Sequence, residues 1–313
     1  MSGPTGISQR NPILSVFFIL CTVILGFVIL GPIVGFMFSL PFYEGTMLEL
    51  AEKLQSPTQY PELKTPVLIM QGFATLIGLI LVPALYLFSM ERISVSRWLL
   101  TKNVAGIMLI AVPLATIAFM GTNSVFIEWN ANFTFPDFLK DFGEWAKERE
   151  DLAAAFTKFF TTFNSKGDLM LGLLVIALLP AIGEELVFRG MLQPEFYRAS
   201  GNQHAAIWIT AIIFSAFHMQ FFGFVPRLLL GVLFGYLYVW SGNLWLPMLA
   251  HFVNNGFSVL MMYLYQKGII DLEVESTEAA PWPVVVSFTL VFAALLFYVY
   301  KFYHKPQIPN EYR

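Results

Sequence analysis

The chain has 313 residues, of which 57% are hydrophobic and only 12% are charged, and its net charge is -3. A soluble domain carries about twice that charged fraction, so the composition predicts an all-α, polytopic membrane protein rather than a soluble one. The weak negative charge gives no indication of nucleic-acid binding. The single cysteine, Cys21, excludes an intramolecular disulfide.

Eight apolar segments are candidate transmembrane helices, since about 20 apolar residues span the hydrocarbon of a bilayer. The first is uncharged from Pro12 to Leu40 and is too long for the hydrophobic part of a cleavable signal peptide. Between the fifth and sixth, Gln220 and Phe221 leave almost no room for a loop. The predicted spans are 13–38, 66–89, 104–126, 169–187, 203–220, 224–241, 244–265 and 282–302.

One sizeable polar insertion, residues 128–168, separates the third span from the fourth. From Pro136 to Phe163 it mixes apolar and charged residues at helical spacing. This pattern predicts an amphipathic helix on or near the outer membrane surface. A packed extramembrane hairpin is the alternative.

The positive charges that flank the predicted spans are distributed unequally. With the N-terminus inside, the inner segments hold nine Lys and Arg residues, whereas the short outer segments hold four. Positive charge favours the cytoplasmic side, so both termini are predicted to be cytoplasmic. An even number of spans is consistent with this, because it places both termini on the same side. The inner residues are Arg10, Arg92, Arg97, Lys102, Arg189, Arg198, Lys301, Lys305 and Arg313, and the outer ones are Lys53, Lys64, Arg227 and Lys267.

Two adjacent glutamates and an arginine one helical turn later stand in the fourth predicted span, after the uncharged run 169–182. Ionisable groups inside a membrane are costly to insert and therefore indicate a functional site. Residues four apart share a helix face, so Glu185 is expected to pair with Arg189, while Glu184 points about 100° away. Glu184 is thus the candidate general base. The alternative is a salt-bridge cluster at a helix end on the membrane surface.

Two further predicted spans contain one histidine each. His218 ends the uncharged run of the fifth span, and His251 shares a helix face with Asn255 in the seventh. An imidazole and a carboxamide on one face can hydrogen-bond an oxyanion or hold a water molecule. Polar side chains also join transmembrane helices by hydrogen bonds, which is the alternative use of these residues. Because both histidines follow the paired glutamates within about seventy residues, the combination favours a single site shared by three helices.

In this order the motifs resemble those of the CPBP family of intramembrane proteases, which includes type II CAAX prenyl endopeptidases and bacteriocin-processing proteins. The stretch from Gly231 to Pro247, which connects the second and third motifs, is similar to the family as well. The resemblance covers roughly residues 180–256, about a quarter of the chain. The three motifs are Glu184-Glu185-Leu-Val-Phe-Arg189, Phe214-Ser-Ala-Phe-His218 and His251-Phe-Val-Asn-Asn255.

The resemblance implies an eight-helix fold with a catalytic cavity inside the membrane. It places the protease core at about 169–265 within a single integral membrane domain, 1–313. By residue, it implies that Glu184 activates water with help from His218, and that His251 and Asn255 stabilise the oxyanion of the tetrahedral intermediate. Glu185 and Arg189 are implied to be supporting residues.

The same motifs also allow a metalloprotease. Glu184, His218 and His251 would form a zinc set with one position open for water. Asparagine is a poor zinc ligand, however, and the chain has no His-Glu-x-x-His motif. Burial in an apolar helix raises the proton affinity of a metal-free glutamate, as a general base requires. We therefore favour a metal-independent mechanism, with zinc as the possible cofactor if the expectation is wrong.

The expected function is hydrolysis of membrane-associated peptides, either prenylated CAAX-type or bacteriocin-like, and the expected partners are the lipid bilayer and such a peptide. One alternative is a transporter that uses the Glu–His set for proton coupling. That class predicts an inverted repeat with interrupted helices, and none is evident in the sequence. The other alternative is a non-catalytic membrane scaffold. The motifs do not predict the oligomeric state.

Overall fold

The computed structural model describes residues 10–91, 104–271 and 276–304, and within these ranges the chain is helical with no β-strand. The helices are long and apolar because the sequence offers long uncharged runs with few residues that end a helix. We number ten of them in chain order. They are α1 (Pro12–Phe42), α2 (Met47–Lys53), α3 (Pro61–Met90), α4 (Met108–Ala131), α5 (Lys140–Phe160), α6 (Lys166–Ser200), α7 (Gln203–Ala216), α8 (Phe224–Ser241), α9 (Trp245–Gln266) and α10 (Trp282–Tyr303).

Six of these helices are long and apolar enough to cross a membrane: α1, α3, α4, α6, α8 and α10. The sequence therefore predicts the class of fold correctly, a multi-pass helical membrane protein, but the structure does not confirm the count of eight. The predicted fifth span corresponds to α7, which has only 14 residues. The predicted seventh corresponds to α9, which has 22 residues but carries His251, Asn254 and Asn255 in its first half.

The predicted boundary of the fifth span is wrong, because α7 ends at Ala216 and α8 begins at Phe224. Residues 217–223 form a loop, and His218 lies in this loop rather than in a helix. The chain leaves the helix because Met219 adopts a left-handed conformation with φ 54°. The hydroxyl of Ser215 then donates to the Phe224 carbonyl at 2.6 Å and closes the turn.

Three long helices, α1, α3 and α6, contain four π-helical turns that each lie shortly before an internal proline. A proline lacks the N–H group and its ring clashes with the carbonyl four residues earlier, so a wider turn relieves the conflict. The π-helical turns Leu173–Leu178 and Phe188–Leu192 flank the two glutamates of α6. The four prolines, each two residues after the end of its turn, are Pro32, Pro83, Pro180 and Pro194.

Helix α6 occupies the centre of the bundle. Half of its most apolar stretch is buried inside the protein, against 11% for α10, whose exposed apolar side chains are suited to face lipid. It packs against α1, α3, α7 and α9. Helix α6 is unbroken to Ser200 and so extends past the predicted end of the fourth span at residue 187.

Small residues allow the closest helix contact, between α1 and α3. A Cβ atom at Gly31 would lie 2.5 Å from Cα of Ala74, and one at Gly35 would lie 2.7 Å from Cα of Met70. Such spacing of glycines four apart is typical of membrane helices that pack backbone to backbone.

The polar insertion forms one long helix, α5, followed by a short connection to α6. The connection is held from both sides: Lys64 at the start of α3 donates to the Thr162 carbonyl and pairs with Asp168 at 3.0 Å. Gln266 of α9 contributes two more hydrogen bonds, to Thr161 and Phe163. The predicted helix is thus present as α5, which is mostly exposed with only Ala146 buried, and it forms no hairpin. Its place on the outer membrane surface stays a prediction. The predicted division into a core at 169–265 and an insertion at 128–168 stays a prediction.

The prediction that both termini are cytoplasmic also stays a prediction. It depends partly on charges that lie outside the described residues, namely Arg92, Arg97, Lys102, Lys305 and Arg313.

Candidate active site

A buried ion cluster lies in the middle of α6. Glu185 and Arg189 are both fully buried, and the guanidinium Nη1 donates to Glu185 Oε1 at 2.7 Å. The pairing follows from their spacing, because residues four apart share one face of a helix. Since Arg189 lies in the interior of a 35-residue helix with none of its surface exposed, the alternative of a surface salt bridge at a helix end is wrong.

The rest of the guanidinium is held by α7 and α8. Nη2 of Arg189 donates to the carbonyl oxygen of Gly231 at 2.7 Å. The rings of Phe214 and Phe234 lie 4.8 Å and 5.3 Å from its central carbon. Aromatic faces stabilise a desolvated cation, so this arginine is neutralised by a carboxylate and enclosed by two rings. It therefore serves to fix the position of Glu185.

His251 of α9 joins the same cluster. Its Nδ1 lies 2.8 Å from Glu185 Oε1, and its ring is 3% exposed and stacks on Phe234 at 5.1 Å. Because the carboxylate is paired with Arg189 it is the acceptor, so Nδ1 of His251 carries the proton. The second ring nitrogen, Nε2, lies 3.9 Å from Glu184 Oε2. His251 thus connects the two adjacent glutamates, which point in different directions from α6.

Glu184 differs from its neighbour in exposure. Its side chain is 18% exposed, whereas that of Glu185 is 0% exposed. Atom Oε2 of Glu184 is nonetheless shielded and accepts no hydrogen bond from any described residue. Oε2 of Glu185 is likewise buried without a partner among the described residues. What separates the two carboxylates is Oε1 of Glu185, which accepts from Arg189 and His251, whereas Glu184 meets Nε2 of His251 at 3.9 Å, beyond hydrogen-bond distance. The division of the two carboxylates expected from helical geometry is thus present in their surroundings.

His218 is the exposed residue of the site. Its side chain is exposed, and Nδ1 lies 3.0 Å from the carbonyl oxygen of Phe214. A carbonyl can only accept, so Nδ1 is the protonated nitrogen and Nε2 keeps its lone pair. The loop therefore presents an imidazole acceptor on the accessible side of the site.

Asn255 lies one turn beyond His251 on α9, but no hydrogen bond connects it to the other site residues in the described part of the chain. Its Nδ2 donates to the carbonyl oxygen of Ile176 at 3.2 Å, within the π-helical turn of α6. Its Oδ1 accepts from Asn254 at 3.0 Å. One N–H of the amide remains available, because a carboxamide has two.

The possible zinc set was tested against the same geometry. Among the described residues, no group of three or more His, Cys, Asp or Glu side chains is arranged to hold a metal ion. Glu184, His218 and His251 consequently do not form a preassembled metal site, and we derive no step through a metal.

Several contributors to the cluster escape the motif analysis. The Gly231 carbonyl and the ring of Phe234 hold Arg189 and His251, yet they have no titratable group that would mark them in a sequence. Both residues lie in the connecting stretch from Gly231 to Pro247, and the similarity of this stretch to the family is the sequence signal that could identify them. Gln193, one turn beyond Arg189, repeats the arrangement by contacting the Gly235 carbonyl at 3.4 Å.

Part of the chain that includes these residues is similar to known proteins. Residues 166–257 match the model of the family described as Type II CAAX prenyl endopeptidase Rce1-like. The matched region contains all six motif residues of the site, from Glu184 to Asn255. The matched family is the one that the three motifs resemble, and the match covers residues 166–257 of the 313.

Two curated bacterial proteins match as well. One, named "Uncharacterized protein YpbD", from Bacillus subtilis (strain 168), is 34% identical over 85 residues, which are 26% of this chain and 40% of that protein. The other, named "Membrane-embedded CAAX protease MroQ", from Staphylococcus aureus (strain USA300), is 33% identical over 95 residues, 28% of this chain and 38% of that protein. The chain thus spans about two fifths of the length of these relatives. No solved structure matches.

Proposed function

We propose, because residues 166–257 match the Rce1-like family, that the protein is an intramembrane endopeptidase acting on membrane-associated peptides. The observation that carries the proposal is the contrast between the two adjacent carboxylates. Oε1 of Glu185 accepts short hydrogen bonds from both Arg189 and His251, whereas Glu184 meets Nε2 of His251 at 3.9 Å, beyond hydrogen-bond distance. A general base needs a carboxylate that is positioned yet free to accept a proton.

In the proposed reaction, a water molecule lies between Glu184 and the accessible Nε2 of His218. Glu184 takes a proton from this water while the oxygen attacks the carbonyl carbon of the scissile peptide bond. The lone pair on Nε2 of His218 accepts a hydrogen bond from the second O–H, which stays covalently intact, and so orients the attack. When the carbon–nitrogen bond breaks, Glu184 returns its proton to the leaving amine, which leaves an amine and a carboxylic acid that loses its proton to water.

The oxyanion of the intermediate would be stabilised by His251 and Asn255. The free amide N–H of Asn255 is one donor, and preorganised donors of this kind contribute about 3–4 kcal/mol each to transition-state stabilisation. Nε2 of His251 would be the second. Since Nδ1–H is already given to Glu185, Nε2 can donate only while both ring nitrogens are protonated. Arg189 and Glu185 act as positioning residues that fix the ring of His251.

The substrate class follows from the membrane setting and the family. The family description names a CAAX prenyl endopeptidase, and the Staphylococcus aureus relative is named a CAAX protease. We propose a peptide that is held at the membrane, with prenylated CAAX-type and bacteriocin-like peptides as the two sources to compare.

The experiment uses the purified chain in liposomes with a prenylated CAAX-type reporter and a non-prenylated amphipathic peptide of equal length. Mass spectrometry identifies the cleavage products, and a pH-sensitive dye inside the liposomes measures proton flux. We expect peptide-bond cleavage by the wild type and no product from Glu184→Gln. Proton flux in the wild type without cleavage of either peptide would favour a transporter and overturn the proposal.

A further inference from the structure

The loop that carries His218 has an unfavourable backbone. Met219 has φ 54°, the single positive φ of a non-glycine residue among the described residues. A residue with a Cβ atom is strained in this region, and such strain persists only where the surroundings hold it. Met219, next to the proposed catalytic residue His218, is therefore held by its surroundings in a backbone conformation that residues with a side chain disfavour.

Helix α4 supplies one restraint on this loop. Asn130 is 3% exposed and donates from Nδ2 to the Phe221 carbonyl at 3.1 Å, while its Oδ1 accepts from the Val225 backbone N–H at 2.8 Å. One side chain thus joins the last part of the loop to the first turn of α8. Asn123, two turns earlier on α4, donates to the Pro226 carbonyl at 3.2 Å.

The insertion helix α5 supplies the second restraint. Gln220 donates from Nε2 to Glu150 Oε1 at 3.0 Å and accepts from Arg227 Nη2 at 2.7 Å. These contacts run from α5 through the loop to α8. Aromatic rings pack beside them: Phe221 of the loop lies 4.7 Å from Phe135 and 6.0 Å from Phe142.

We propose that Asn130, Glu150 and Gln220, together called the loop clamp, are positioning residues for His218. They hold the left-handed turn at Met219 and so keep the imidazole at its place against Phe214, whose ring also contacts His251. The insertion helix α5, which contributes Glu150, is then a working part of the active site. The inference rests on the proposed function only in that peptide cleavage is the readout.

The first test compares kcat and KM of Asn130→Ala and Gln220→Ala with the wild type. We expect kcat to fall about tenfold to a hundredfold with KM within about twofold, because misplacing a reacting group by about 1 Å costs up to a hundredfold in rate. The matched control is Asn132→Ala, since Asn132 is exposed and bonds only to its own helix. For Glu150, Glu150→Gln keeps an acceptor and should retain the rate, whereas Glu150→Leu should lose it.

The second test restores the loop without the clamp. Met219→Gly removes the Cβ that opposes a positive φ, so the turn needs less support. Added to Asn130→Ala, it should recover most of the lost kcat, measured per folded molecule so that misfolding does not enter. A double variant as slow as Asn130→Ala, or a control variant equally slow, would overturn the proposal.

A third readout separates this proposal from the proposed function. Hydrogen exchange at the backbone N–H of Val225 and across 217–223 should quicken in Asn130→Ala and remain unchanged in Asn132→Ala, whatever the chain hydrolyses. An unchanged exchange rate in Asn130→Ala contradicts the loop clamp even if cleavage is observed. Absence of cleavage in the wild type with quickened exchange contradicts only the endopeptidase.

Discussion

The site has two halves that differ in how they are held. One half, Glu185, Arg189 and His251, is buried and bound by short ionic contacts between α6 and α9. In the other, His218 is exposed and Glu184 is partly exposed, with its Oε2 atom 3.9 Å from Nε2 of His251. Two adjacent carboxylates of one helix therefore have different surroundings, and only one of them belongs to a short buried ion pair.

The largest effect is expected from breaking the buried half. Replacing Arg189 with Met leaves Glu185 charged and buried without its main partner, which costs about 3–5 kcal/mol of folding stability. We expect Arg189→Met to lower the thermal midpoint strongly in detergent, followed by tryptophan fluorescence. The surface pair of Lys147 and Asp151 gives the control, since removing an exposed ion pair changes stability by at most about 1 kcal/mol. An unchanged midpoint in Arg189→Met would show that the buried pair is not structural.

The two histidines should separate activity from stability. His218→Ala removes an exposed side chain, so we expect kcat to fall about a hundredfold with an unchanged thermal midpoint. His251→Ala should lower both, because Glu185 loses a buried hydrogen bond worth about 1–3 kcal/mol. Steady-state cleavage and thermal unfolding of the same preparations measure the two effects. A lower thermal midpoint for His218→Ala than for His251→Ala would contradict this difference between the two halves.

Chelation should have the smallest effect. Because the described residues form no three-ligand cluster, we expect cleavage to survive dialysis against a strong chelator with less than about twofold loss. Activity lost on dialysis and restored by zinc would show that Glu184 and the two histidines bind a metal in the working enzyme.

Two contacts of the buried half differ in how far the sequence predicts them. The Glu185–Arg189 pair follows from local geometry, since residues four apart on a helix meet. The bond from His251 to Glu185 joins residues 66 apart in the sequence, and only the shared motif indicated that they meet.

The loop at His218 could not be predicted in the same way. The apolar run continues past Ala216, so hydropathy extended the helix to residue 220, whereas the chain turns at Met219. Its restraints are long-range contacts: Asn130 lies 91 residues from Phe221, and Glu150 lies 70 residues from Gln220. No local periodicity records such contacts, which is why the role of the insertion appears only in the folded chain.

The central claim is the division of labour between Glu184 and Glu185, and one paired measurement tests it. Glu184→Gln and Glu185→Gln make the same chemical change at adjacent positions, and each is measured for folded fraction and for kcat per folded molecule. We predict that Glu184→Gln folds normally and loses about a thousandfold in kcat, as expected for removal of a general base. Glu185→Gln should mainly reduce the folded fraction. The account is contradicted if Glu184→Gln retains the wild-type rate or if Glu185→Gln folds normally and is the less active of the two.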